Sequence, residues 1–111
     1  MMLADLGAEV IKIETTSGDL VRNSGVFRNR GMASVFLGVN RNKRSVALDL
    51  KSPEGRETLW KLIDSADVLV ENFRPGTAAR MGFGEAEAAE LAHVRAFKLA
   101  ATTEARNTCP Y

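Results

Sequence analysis

The stretch Lys51-Ser52-Pro53-Glu54 constrains the fold more than any other part of the chain. Ser52 is suited to cap a helix, because its hydroxyl accepts a hydrogen bond from an early backbone N–H. Pro53 at the first helical position gives up only an N–H that would be unpaired anyway. Glu54 sits favourably at the positive end of the helix dipole. A helix therefore starts here. Leu59, Leu62 and Ile63 continue it at helical spacing, Trp60 covers its flank, and the pattern ends near Asp64 or Ser65. Apolar runs of strand length lie on both sides. Ser45-Val46-Ala47-Leu48-Asp49-Leu50 reads as a mostly buried strand, and Asp67-Val68-Leu69-Val70-Glu71 has the continuously apolar centre of a strand covered on both faces. Strand, helix and strand at this spacing predict a parallel sheet with a right-handed crossover.

The rest of the chain extends this pattern. Met1 to Leu6 reads as the end of a helix with Gly7 as its cap. Glu9-Val10-Ile11-Lys12-Ile13-Glu14 alternates polar and apolar residues and reads as a strand. A helix running through Gly into a strand predicts a chain that begins partway through an α/β unit, with a further strand before Met1. Thr15 to Gly31 is loop-like, and Asn40 to Arg44 is a polar turn. Ala33 to Val39 is an apolar run of either type. Asn72-Phe73-Arg74-Pro75-Gly76 leaves the last strand as a loop, and a short helix over Thr77 to Met81 follows. Glu85 to Ala101 has helix propensity but a poor apolar stripe. The order predicts an α/β, Rossmann-like parallel sheet with flanking helices. Ligands of such sheets bind beyond the C-terminal ends of the strands. That rule gathers Lys51, Asn72, Phe73 and Arg74, with the start of the Ser52 helix beside Lys51 as a setting for an anion.

Composition narrows the classes. A chain of 111 residues suits one domain or a piece of one, and 45% hydrophobic with 26% charged residues is ordinary for a soluble protein. No apolar run approaches the ~18 residues of a membrane helix. The start lacks the basic region of a signal peptide, so the expected location is the cytoplasm. The net charge of +1 is uneven. Arg22 to Arg56 carries eight bases against two acids, while Glu57 to Ala92 carries seven acids against three bases. Such segregation suits a polyanionic ligand, and it equally suits a solvated basic loop. The one cysteine, Cys109, forms no internal disulfide, and nothing near it in sequence would activate the thiol. The one histidine, His93, has no second His or Cys cluster for zinc and reads as a helix-face residue. No Gly-x-Gly-x-x-Gly follows a strand and no phosphate-loop lysine motif occurs. Asp5, Glu9, Asp49 and Asp67 fall where surface or element-end residues sit, and Met1, Met2, Met32 and Met81 form no stripe.

The segment Asn40 to Arg56, with its Asn-Arg-Asn-Lys-Arg-Ser run leading into Leu48-Asp49-Leu50-Lys51-Ser52-Pro53-Glu54-Gly55, closely resembles the corresponding stretch of the class III CoA-transferases, the CaiB/BaiF-type family. Three more segments fit in the same order. They are Leu3 to Glu14, then Gly18-Asp19 followed by Arg22, then Ala66 to Gly76 with Arg80-Met81-Gly82-Phe83-Gly84. The resemblance covers about residues 1–92, which are expected to be part of the large Rossmann-like domain. Residues 93–111 are expected to be a divergent tail, helical and then disordered.

The resemblance implies an enzyme that moves CoA between an acyl-CoA and a carboxylic acid, through a catalytic aspartate that forms an anhydride and then a thioester. Some members are acyl-CoA racemases. It also implies an interlocked homodimer with CoA or acyl-CoA as substrate; the residues themselves, with no His or Cys cluster, no nucleic-acid motif and no long apolar run, lead to the expectation of no metal and no nucleic-acid or membrane partner. By position it implies CoA contacts at Leu48, Lys51, Asn72, Phe73, Arg74 and Arg80. Lys51 and Arg80 would offset the phosphates, Leu48 and Phe73 would flank the adenine or pantetheine, and Asn72 would hydrogen-bond the ligand.

The departures matter as much. The family's first strand and its Gly-Pro-type loop have no counterpart here. After Leu91 the sequence leaves the family pattern, and no aspartate occurs after Asp67. The expectation is a CoA-binding fragment without the catalytic residue. The alternatives are a non-catalytic CoA- or nucleotide-binding module and a piece of a racemase.

Overall fold

A computed structural model describes residues 1–74, 76–91 and 94–98. His93, Cys109 and the expected tail from residue 99 onward lie outside the described residues. The chain falls into two compact units, Met1–Asp49 and Leu50–Tyr111.

The first unit holds α1 (Met2–Asp5), β1 (Val10–Glu14), a 3-10 turn (Leu20–Asn23), α2 (Ser34–Asn40) and β2 (Lys43–Ala47). Strands β1 and β2 pair in parallel, with Val10 opposite Lys43 and Glu14 opposite Ala47. The ambiguous run after Gly31 is helix, and it buries Ala33 and Phe36 one turn apart. Strand β2 begins two residues earlier than Ser45 and ends before Leu48. Its frame is set by the partner strand: β1 stops at Glu14, whose C=O accepts the Leu48 N–H at 2.9 Å and closes the ladder. The polar Lys43 and Arg44 enter the strand because the Lys43 ammonium donates to Asn40 Oδ1 and Arg44 pairs with Glu9.

The alternation expected along β1 fails at its end. Ile11 is exposed and Glu14 is buried, at 6% exposure. Arg22 reverses the usual cost of burying a carboxylate. Its Nε and Nη2 each lie 2.7 Å from a different Glu14 oxygen. The Ser45 hydroxyl donates to the same carboxylate at 2.6 Å and the Asp19 N–H at 2.9 Å. The guanidinium rests 4.0 Å from the centre of the Phe36 ring.

The second unit holds α3 (Pro53–Asp64), β3 (Val68–Glu71), α4 (Thr77–Arg80), α5 (Glu85–Ala89) and β4 (Arg95–Lys98). Ser52 caps α3 as its sequence requires, its hydroxyl accepting the Gly55 N–H at 3.0 Å. Leu59 and Ile63, four residues apart, are the buried face of that helix. Ala78, Phe83, Ala88 and Val94 complete the buried apolar set. Strand β3 pairs in parallel with β4, Val68 opposite Arg95 and Glu71 opposite Lys98. The helix expected over Glu85 to Ala101 is therefore only five residues long, and residues 95–98 inside that stretch are a strand. Helix propensity without an apolar stripe offers nothing to bury, whereas pairing satisfies the backbone of the exposed β3 edge. The α/β class with parallel pairing is thus present in both units.

The Glu14 carboxyl is held at about 2, chiefly by Arg22 and further by Ser45 and the Asp19 N–H, against the opposing effect of burial. A lowered carboxyl value stabilises the fold at pH above the unfolded value near 4.5. That contribution, about 3 kcal/mol by linkage, is lost as pH falls from there through about 2. Amide exchange at Ser45 to Ala47 should lose protection across that window. Glu14→Ala, which strands the partly buried guanidinium, should cost about 3 kcal/mol at pH 7. A variant with wild-type protection would show that the pair adds no net stability.

Candidate functional site

In the first unit, Leu48 follows the end of β2 and is half-buried. Its backbone is tied to β1 through Glu14, as described above. In the second unit, Lys51 immediately precedes the Ser52 cap of α3 and is exposed. Asn72, Phe73 and Arg74 leave the C-terminal end of β3, and all three are exposed.

Phe73 is the best-defined of them. Its N–H donates to Glu71 Oε2 at 2.6 Å. Its ring meets Phe83 edge to face, with centroids 5.7 Å apart and planes at 68°. Phe83 is buried at 3% exposure, whereas Phe73 keeps 39% of its surface open. The ring is therefore supported on one side and available on the other. The Arg74 C=O accepts the Thr77 N–H at 3.0 Å and Gly76 takes a left-handed conformation, φ 75°, which together launch α4. Arg80 closes α4, with its guanidinium donating to Thr77 Oγ1 at 3.3 Å and its side chain exposed.

The basic segment is less open than its composition suggests. Arg22 is taken up by Glu14, Arg41 by Asp5, and Arg44 by Glu9. Arg41 also draws the Asp5 carboxyl below its ordinary value, with Asn42 assisting. Lys12 pairs with Asp19, whose other oxygen caps the 3-10 turn through the Val21 N–H. Three of the eight cations between Arg22 and Arg56 thus serve the first unit's own carboxylates. Periodicity could not reveal those pairings, since they join residues up to 36 apart. Two contributors to local geometry were not singled out from sequence. One is Glu14, read only as the polar end of a strand. The other is Glu71, whose place in the Glu-Asn-Phe run was its only signal. Among the described residues no group of three or more His, Cys, Asp or Glu side chains could hold a metal ion, and no helix is long and apolar enough to cross a membrane.

Comparisons with known proteins show the family and the fold of the chain. The profile of CoA-transferase family III matches residues 1–94. Succinyl-CoA:mesaconate CoA-transferase of Haloarcula hispanica is 44% identical over 88 residues, covering 76% of this chain and 22% of that protein. Formyl-CoA:oxalate CoA-transferase of Rhodopseudomonas palustris is 48% identical over 83 residues, covering 74% of this chain and 20% of that protein. The crystal structure of Rv3272 from Mycobacterium tuberculosis superposes with a TM-score of 0.78 at 36% identity, over 86% of this chain and 26% of that one. A CAIB/BAIF family protein from Brucella suis gives 0.73 at 38% identity, over 80% of this chain and 25% of that one. The chain belongs to CoA-transferase family III. It spans about a fifth of the length of the curated relatives it matches.

The Phe73–Phe83 contact should be measurable. A double-mutant cycle on Phe73→Leu and Phe83→Leu, followed by Trp60 fluorescence during unfolding, should give a coupling of about 1 kcal/mol. Additive effects would mean that Phe83 does not support the Phe73 ring.

Proposed function

We propose that this chain forms the coenzyme A-holding part of a CoA-transferase, which moves CoA from an acyl-CoA to a carboxylic acid. One observation carries the reading. Within the family match, side chains suited to a nucleotide thioester stand at element ends: Lys51 at the start of a capped helix, and Asn72, Phe73 and Arg74 at the end of β3. The short connection Ser65 to Asp67 favours an antiparallel return from α3 to β3. That return would carry the start of the helix and the end of the strand to the same side of the unit.

The roles follow from the chemistry of each group. Lys51 and Arg80 offset phosphate charge, Lys51 aided by the N–H groups at the start of α3. Arg74 adds a further cation. Phe73 offers an aromatic face to the adenine or the pantetheine arm. Asn72 supplies both a donor and an acceptor. The names of the relatives pair a CoA thioester with an acid such as mesaconate or oxalate, which supports an acyl-CoA and a carboxylate as the two substrates. The working enzyme is a cytoplasmic homodimer in this reading, which sedimentation of the pure protein would test.

A second reading is a CoA- or nucleotide-binding module without chemistry, or a piece of a racemase. None of the aspartates in these 111 residues matches the catalytic aspartate that the resemblance implies, so the residues given carry binding groups and not that nucleophile. The 111 residues alone should accordingly transfer no CoA from an acyl-CoA to an acceptor acid. Turnover by the pure chain would overturn that expectation.

Binding is the direct test. Calorimetry with CoA should show affinity weakened by about 1–3 kcal/mol in each of Lys51→Ala and Arg80→Ala. A folded chain that binds no CoA would leave the family relationship as ancestry only.

A further inference from the structure

We infer that Glu71 is a positioning residue for the coenzyme, acting through the backbone of Phe73; the inference rests on the coenzyme-holding function proposed above. Glu71 is the last residue of β3, where the chain must leave the sheet. Its Oε2 lies 2.6 Å from the Phe73 N–H, two residues on. The contact ties the Glu71 side chain to the main chain two residues on and so restrains the backbone between them. The restraint spans Asn72 and sets the direction in which the Phe73 Cβ leaves the main chain. Phe83 then fixes the far end of the same side chain through the edge-to-face contact at 5.7 Å. The ring is held from both ends, and its remaining surface is open to a ligand.

Toward a polyanionic ligand, the acceptor and not the negative charge is the useful property of Glu71. A polyanion such as CoA gains nothing from a carboxylate beside it. What Glu71 offers the Phe73 backbone is the hydrogen bond it accepts. A neutral amide of the same length supplies an acceptor without the repulsion. A methionine of the same length supplies neither.

This gives opposite expectations for two variants of nearly equal size. Glu71→Gln should bind CoA as tightly as the wild type or more tightly. Glu71→Met should bind about five-fold more weakly, the loss expected for one hydrogen bond. In a Phe73→Leu background, Glu71→Met should change affinity by less than about two-fold, because residues acting as one unit are not additive. Lys51→Ala serves as the reference for the binding site itself.

The experiment is calorimetric titration of these variants with CoA, combined with hydrogen exchange at the Phe73 amide. The amide should be protected in the wild type and in Glu71→Gln, and unprotected in Glu71→Met. If Glu71→Met binds like the wild type while Lys51→Ala is weakened, the inference fails and the coenzyme-holding function stands. Equal weakening by Gln and Met would assign the effect to charge and overturn the inference, as would additivity with Phe73→Leu. If the folded wild type binds no CoA, both readings fall together. Should Glu71→Met not fold, an unprotected Phe73 amide in the wild type still overturns the inference.

Discussion

The first unit is organised around one ion pair, Glu14 with Arg22. Burying a carboxylate is unfavourable unless its charge is met, and here two guanidinium N–H groups, a hydroxyl and a backbone N–H meet it together. The four donors come from three places: the 3-10 turn, β2 and the Gly18-Asp19 loop. The geometry explains the glycine as well. Gly18 is left-handed at φ 82°, and a Cβ there would sit 3.1 Å from Arg22 Cδ. Past the pair, the Arg22 C=O accepts the Ala33 N–H at 3.0 Å, and the guanidinium covers the Phe36 ring. One buried carboxylate therefore links β1, β2, the loop after β1 and the start of α2.

The second unit is built the other way. Its interior is apolar, made of Leu59, Ile63, Ala78, Phe83, Ala88 and Val94. Several of its polar groups lie at element ends, where caps and turns satisfy them: Ser52 at the start of α3, Glu71 at the end of β3, Thr77 beside Arg80. Glu87, in the middle of α5, is the exception among the described residues, with one carboxylate oxygen buried and without a hydrogen bond. That division suits a ligand site. A rigid apolar interior sets the positions of strand and helix ends, and the side chains at those ends remain exposed. Phe73 joins the two regimes, with one edge on the interior and the rest of the ring at the surface.

Charge illustrates how composition can mislead. Eight bases in 35 residues resemble an anion-binding surface. Arg22, Arg41 and Arg44 instead answer Glu14, Asp5 and Glu9 within their own unit. Lys51 was singled out by its place, at the end of a strand and before the Ser52 cap, and separately by the resemblance; a local charge count could not do that.

The sequence by itself determined the features whose physics is local. The Ser52-Pro53 start of α3, its end near Asp64 and the position of β3 before the Asn72 loop all depend on neighbouring residues, and each stands where the pattern put it, although the cover expected on both faces of β3 is missing at Val68 and Val70, which are exposed. Family membership was legible for a related reason, since four short motifs in fixed order survive in the linear code. Tertiary structure alone decided the rest. It shortened α5 and made residues 95–98 a strand, because an open parallel edge outweighs modest helix propensity. It placed β2 at Lys43 to Ala47, because register is set by the partner strand and not by the strand's own residues. It turned Glu14 inward, because the guanidinium that makes a buried carboxylate tolerable arrives from eight residues further along the chain, a proximity that only the folded loop creates.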